Sequence, residues 1–197
     1  MPGYFDYAAT TPVDPAVAEV VFRCMTEDFG NPSSLQHAEG KAASRWVSLA
    51  SEQVGQLINA TPESIVYTSG ATEANNLAIF GVADFYQHRG RHLICGATEH
   101  ASVITPMQQL QRRGYDLTLL QPDSNGIIDP DALSAAIRKD TVLVSIQHAN
   151  NETGALQNIA ELADRVHQQH TLLHVDAAQS MGKTAVDVIA MNCDLLA

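Results

Sequence analysis

Short apolar runs recur along the chain from residue 65 onward: Ile65-Val66-Tyr67, Leu93-Ile94-Cys95, Leu117-Thr118-Leu119-Leu120, Val142-Leu143-Val144-Ser145-Ile146 and Leu172-Leu173-His174-Val175. They are nearly continuous rather than alternating, the pattern of strands buried on both faces. Between most of them lie stretches of helical periodicity, at about 72–87, 101–113, 129–138 and 159–170. Buried strands alternating with helices predict an α/β fold, a mainly parallel sheet with helices on both faces. Upstream, residues 4–12 read as extended, and Asp14-Pro15 opens a helical pattern running to about Phe29. A cap residue followed by proline is a helix-start signal. Gly30-Asn31-Pro32-Ser33-Ser34 predicts a loop, and a long helix is expected over about 38–59. Cys193-Asp194-Leu195-Leu196-Ala197 reads like the start of a further strand, so the fold is expected to be truncated.

In open α/β sheets ligands bind beyond the carboxyl ends of the strands. Four polar clusters fall there: Thr68-Ser69-Gly70-Ala71-Thr72-Glu73, Ala97-Thr98-Glu99-His100, Gln147-His148-Ala149-Asn150-Asn151-Glu152 and Asp176-Ala177-Ala178-Gln179-Ser180. They are far apart in sequence, yet a parallel sheet would bring them to one edge. A single ligand site is the expectation.

Composition narrows the classes. The 197 residues suffice for one sizeable core, with 45% hydrophobic and 17% charged residues. A formal net charge of −11 repels phosphate backbones, which argues against a nucleic-acid partner. Cys24, Cys95 and Cys193 are an odd number, far apart and without a C-x-x-C pair. That argues for a reducing compartment and against a disulfide framework or zinc ribbon. The start Met1-Pro2-Gly3-Tyr4-Phe5-Asp6 lacks a basic and an apolar region, and no apolar run approaches a membrane span. A cytoplasmic location is expected, without membrane association.

Each cluster admits two readings. Ser69-Gly70-Ala71-Thr72 is either an anion-binding turn, its backbone amides at a helix N-terminus suited to a phosphate, or an ordinary Ser/Thr helix cap. It is not a P-loop, since no Gly-Lys-Ser/Thr follows. Asp176 ends a buried strand and must be hydrogen-bonded or paired. It either caps the next segment or holds a heterocyclic nitrogen protonated, with Gln179 three residues on as a second donor. His100 is either a structural histidine or an acid–base group whose ring stacks on a flat cofactor. Asn151 is either a turn residue or a donor to a carboxylate. No metal is expected: the histidines, including His167, His170 and His174, form no recognisable ligand set.

Taken together, the motifs resemble one family. Asp6-Tyr7-Ala8-Ala9-Thr10-Thr11-Pro12, Gly30–Ser34 with His37, Thr68-Ser69-Gly70-Ala71-Thr72-Glu73-Ala74-Asn75-Asn76, Thr98-Glu99-His100, Asn150-Asn151-Glu152-Thr153-Gly154 and His174-Val175-Asp176-Ala177-Ala178-Gln179 are similar to the cysteine desulfurases of the NifS/IscS type. These are class V aminotransferase-like enzymes of fold type I that use pyridoxal 5'-phosphate (PLP). The resemblance runs from about residue 4 to the end. It implies the PLP-dependent transferase-like large domain over residues 15–197 in partial form, with residues 1–14 a segment that associates with a small domain. By resemblance, Ala71 and Thr72 bind the PLP phosphate. His100 stacks over the ring and takes part in proton transfer. Asp176 pairs with the pyridine nitrogen, Gln179 bonds the ring hydroxyl, and Asn151 lies near the ring and the substrate carboxylate. The implied reaction removes sulfur from L-cysteine, giving alanine and an enzyme persulfide for iron–sulfur cluster or thio-cofactor synthesis. The implied partners are a sulfur-acceptor protein and, in the full-length form, a second copy.

The chain also departs from the family's pattern. The Schiff-base lysine would follow about five residues beyond Ala197, and Lys183 comes too soon after Asp176 to replace it. The catalytic cysteine loop, a substrate-binding arginine and the small domain are not in the sequence, and no cysteine present matches the nucleophile motif. The 197 residues alone are therefore expected to lack desulfurase turnover. Two alternatives stand beside the desulfurase reading: a non-catalytic PLP-fold module, and another class V enzyme such as a selenocysteine lyase or an aminotransferase.

Overall fold

A computed structural model describes residues 3–197. The chain divides into two compact units, Met1–Ile65 and Val66–Ala197.

The first unit is helical. α1 (Pro15–Thr26) starts as the sequence predicts, with Asp14 accepting from the Ala16 amide at 2.8 Å and proline in the first turn. α2 (Ala38–Ile58) is capped by His37, whose ring nitrogen accepts from the Gly40 amide at 3.2 Å, and ends at Asn59 in the left-handed conformation. Within this unit Trp46 donates its indole N–H to Asp28 at 3.0 Å, and Arg23 bonds the same carboxylate oxygen at 2.9 Å. The stretch expected to be extended instead turns back, the Ala9 and Thr10 amides both bonding the Asp6 carbonyl. That bonding is local, and among the described residues no strand pairs with the segment to draw it straight.

The second unit is the α/β body. Its elements are α3 (Ala71–Tyr86), β1 (His92–Gly96), α4 (Ala101–Arg112), β2 (Asp116–Leu120), α5 (Pro130–Ala136), β3 (Thr141–Gln147), α6 (Ile159–His167), β4 (Leu172–Asp176), α7 (Val188–Met191) and β5 (Leu195–Leu196). The five strands form one sheet in the order β2-β1-β3-β4-β5, every pairing parallel. The continuous apolar runs therefore lie where burial on both faces requires them. β1 and β3 are buried along their whole length.

One expected strand is absent. Ile65-Val66-Tyr67 lies outside the sheet, with Val66 69% and Tyr67 57% exposed. An apolar run becomes a strand only when a neighbour supplies hydrogen-bond partners, and no strand of this sheet pairs with it.

The topology fixes the site. The path from β1 to β2 moves one way across the sheet, and the path from β3 through β4 to β5 moves the other. Right-handed crossovers then place α4 and α6 on opposite faces. In agreement, α3 packs on α4, and α5 on α6. Leu93 and Cys95 of β1 join Ile79, Val103, Met107 and Leu110 in the core on the α3/α4 side. Ile94 points to the other face and is equally buried. Each such fully buried Leu or Ile contributes roughly 2–3 kcal/mol. The strand order reverses between β1 and β3, so a crevice opens at their carboxyl ends.

Candidate active site

A pocket lies at that crevice, lined by Ala71, Thr72, His100, Ser102, Gln147, Ala149, Asn151, Asp176, Ala178 and Gln179. All six residues singled out from the sequence are in it, and all four polar clusters contribute. Residues about 105 positions apart meet here because parallel strands deliver their carboxyl ends to one edge.

Ala71 and Thr72 form the first turn of α3. The preceding Gly70 has no side chain to cap the helix, and none is supplied from elsewhere. Glu73 reaches back instead to the Ser69 amide, at 2.5 Å, which holds its carboxyl below the usual range. The ordinary-cap alternative for this turn therefore fails. The helix start keeps backbone N–H groups and the positive end of its dipole for an anion.

Asp176 closes β4 and is buried. Its Oδ1 accepts from the Ala178 amide at 3.0 Å, and its Oδ2 accepts from Asn75 Nδ2 at 2.8 Å. It thus shapes the following turn, as the capping reading has it, and also lines the pocket. Gln179 lines the pocket next to it and accepts from Lys183 Nζ at 2.8 Å. No lysine is among the pocket-lining residues.

His100 caps α4. Its Nδ1 accepts from the Ser102 amide at 3.1 Å and lies 2.8 Å from Ser102 Oγ. Asn151 reaches Glu152 Oε1 at 3.1 Å. Its neighbour Asn150 is the structural member of the pair. Asn150 Oδ1 accepts from the amides of Glu152 and Thr153, and its Nδ2 donates to the Thr98 carbonyl.

Beneath the pocket the polar packing is incomplete. Glu99 is buried, and its Oε1 accepts from the Gln147 amide at 3.0 Å while Oε2 has no partner. Burial pushes its carboxyl up to about 8, against the Gln147 hydrogen bond, and the nearby Asp176 charge adds to the rise. Asn75 Oδ1 and His148 Nδ1 are also buried without partners. An orphaned buried polar atom costs roughly 1–3 kcal/mol. Sequence reasoning gave no role to Asn75 or Ser102. Their signal was spacing: Asn75 is one helical turn past Ala71, and Ser102 follows the cap residue His100 by two.

The cysteines lie elsewhere. Burial raises the Cys95 thiol to about 12 and Cys193 to about 11, and Cys24 is half-buried in α1. Among the described residues, no group of three or more His, Cys, Asp and Glu is placed to hold a metal ion, and no helix is long and apolar enough to cross a membrane.

An uncapped helix start, a carboxylate and an imidazole ring lining one pocket suit a flat ligand with an anionic group. Comparison with known proteins points the same way. The model of the class-V aminotransferases matches residues 3–197. The chain belongs to the class-V aminotransferase family. Within that family it is 52% identical over 198 residues to the cysteine desulfurase IscS of Vibrio atlanticus, and 50% identical to that of Shewanella sediminis. Each match covers all of this chain and 49% of the relative, so the chain spans about half the length of the curated relatives it matches. Among solved structures, SspA in complex with cysteine superposes with a TM-score of 0.94 at 39% identity, covering 98% of this chain and 55% of that one. A NifS-like protein gives 0.96 at 34% identity, covering 100% and 54%. The five-stranded parallel sheet with its helices is thus the class-V fold seen in NifS-like structures.

Proposed function

We propose that this chain carries the PLP-binding site of a cysteine desulfurase, an enzyme that removes sulfur from L-cysteine to leave alanine. The observation that carries the reading is the meeting of Thr72, His100, Asn151 and Asp176 around one pocket at the strand-order reversal.

The residues present fit the group. The uncapped start of α3, at Ala71 and Thr72, would hold its phosphate. The Asp176 carboxylate would hold a protonated ring nitrogen, Gln179 would bond the ring hydroxyl, and the His100 ring would stack on the face. When bound, PLP supplies an electron sink. The chain's own residues do the rest. Asp176 keeps a proton on the ring nitrogen, and Asn151 orients the substrate carboxylate. His100 holds or moves a proton at Nε2, because Nδ1 is engaged by the Ser102 amide. The helices on both faces keep bulk water from the strand side of the site. The sulfur leaves as a persulfide on a cysteine outside this pocket, for a sulfur-acceptor protein serving iron–sulfur cluster or thio-cofactor synthesis.

The same reading assigns residues 15–197 to the large domain and 1–14 to a segment that goes with a small domain. It makes the enzyme a cytoplasmic homodimer. The apolar residues that α1 leaves exposed, Phe22 and Met25 among them, support a covering surface of that kind.

The experiment is a titration of the purified chain with PLP, read by the ligand's visible absorbance, with alanine formation from L-cysteine measured in the protein that carries this chain. Saturable 1:1 binding, reversed by dialysis and not fixed by borohydride, is expected, since no lysine lines the pocket. Absence of saturable binding, or pyruvate in place of alanine, would overturn the reading.

A further inference from the structure

Four side chains join in one line beneath the pocket. His100 Nδ1 lies 2.8 Å from Ser102 Oγ, Asn75 Nδ2 donates to Ser102 Oγ at 2.9 Å, and the same nitrogen donates to Asp176 Oδ2 at 2.8 Å. Asn75 is fully buried and Ser102 nearly so.

The donors and acceptors along this line are determined by chemistry. A backbone N–H can only donate, so the Ser102 amide at 3.1 Å makes His100 Nδ1 an acceptor. A neutral ring then carries its proton on Nε2. The Ser102 hydroxyl accepts from Asn75 and has its own proton for Nδ1. A carboxylate accepts only, so the Asn75 amide must face Asp176 with its NH2 group. The reverse flip would put Oδ1 against the carboxylate. The orientation adopted leaves Asn75 Oδ1 buried with no partner, and it is the same orientation that serves both Asp176 and Ser102.

We propose that Asn75 and Ser102 are positioning residues that hold His100 as the Nε2–H tautomer and couple its ring to Asp176. The assignment rests on the reading that His100 and Asp176 serve one ligand. It deepens that reading by stating which atom of His100 is available. Nδ1 is occupied, so His100 presents a hydrogen-bond donor and not an acceptor to whatever fills the pocket. An anionic substrate group, such as a thiolate or a carboxylate, is the matching partner. Any shift of Asp176 is transmitted to the ring through three hydrogen bonds.

The test is the ring-nitrogen chemical shifts of His100 in the ligand-free chain, from long-range proton–nitrogen spectra. Nδ1 is expected at the position of a proton-free nitrogen and Nε2 at that of a protonated one. A ratio of roughly ten to one is expected, the scale set by a single net hydrogen bond. Ser102→Ala and Asn75→Ala should each move the two resonances toward each other, lowering the ratio about threefold. Ser102→Thr, which keeps the hydroxyl, should restore it. A wild-type ring that is already averaged or carries its proton on Nδ1 would overturn the proposal, as would resonances unmoved in both alanine variants. The spectra need no cofactor. If PLP fails to bind while the ring behaves as expected, the desulfurase reading falls and the tautomer assignment stands. The opposite pattern removes the assignment alone.

Discussion

The two ends of the sheet treat buried polar groups differently. At the amino end, His92 is buried at the start of β1 and both its ring nitrogens are paired, with Thr141 Oγ1 at 2.7 Å and Thr118 Oγ1 at 2.9 Å. Thr141 Oγ1 accepts the Arg138 amide as well, at 2.7 Å. At the carboxyl end Asn75, Glu99 and His148 each keep a buried atom with no partner. Histidine side chains are buried at both ends of this parallel sheet or near them, His92 at one and His148 at the other, so burial itself does not mark a site. What differs between the two ends is incomplete pairing, which extends into the body of β4, where His174 Nε2 is also buried without a partner. A stability-driven sequence satisfies what it buries, and departures cluster where a ligand is to be held.

The widest separation between the two ends should come from Asp176. Asp176→Ala removes the acceptor of Asn75 and the carboxylate facing the pocket, and should weaken PLP binding roughly 10- to 100-fold, the scale of a charge-assisted hydrogen bond. Absorbance titration of variant and wild type measures this. Binding as tight as wild type would show that the carboxyl end is not the ligand end.

Glu99 comes next. Its folded carboxyl is raised from 4.5 to about 8, so the folded state binds the proton more tightly than the unfolded chain does. The stability this confers is complete below about 4.5 and is lost as pH rises toward 8. Glu99→Gln cannot ionise. Relative to wild type it should gain stability steadily across that window, by up to a few kcal/mol at pH 8. Urea unfolding of both proteins at several pH values checks it, and parallel curves would mean that Glu99 is solvated.

His174 lies in the body of β4, and its Nδ1 is 2.8 Å from Ser145 Oγ. Complete burial lowers it to about 4, against the pull of Asp176. Here the sign is opposite. The unfolded chain takes up the proton first, so stability is complete above about 6.5 and is lost as pH falls toward 4. That loss amounts to roughly 3 kcal/mol. His174→Asn, which keeps a partner for Ser145, should flatten the acid limb of the stability curve.

The smallest effect belongs to the amino end. His92→Leu leaves the Thr141 and Thr118 hydroxyls short of a partner and should cost about 1–2 kcal/mol in unfolding free energy. PLP affinity should not change. A change in affinity without a change in stability would reverse the contrast drawn between the two ends.

Much of the site was legible before any coordinates because parallel-sheet topology turns sequence position into spatial position. The polar residues after Cys95, Ile146 and Val175 could converge only at one edge, and His100, Asn151, Asp176 and Gln179 do line one pocket there. The misreadings share one cause. Ile65-Val66-Tyr67 has a strand's composition, and residues 4–12 look extended, but a strand exists only with a partner, and partners are not a local property. Asn75, although part of a family motif, and Ser102 were given no role for a related reason. Each is an ordinary helix residue until α3 and α4 pack together and bring Asn75 to 2.9 Å from Ser102.

By itself, the sequence determined the alternation of strands and helices, the edge at which the polar clusters gather and the family to which the chain belongs. All of these follow from periodicity and from motifs contiguous along the chain. The tertiary structure alone decided which helix start is left uncapped, which nitrogen of His100 is engaged and which buried atoms go unpaired. Each of those depends on a distance of about 3 Å, across the fold for Asn75 or within one helix cap for His100, or on the absence of such a neighbour, and hydrogen bonding is settled at that range.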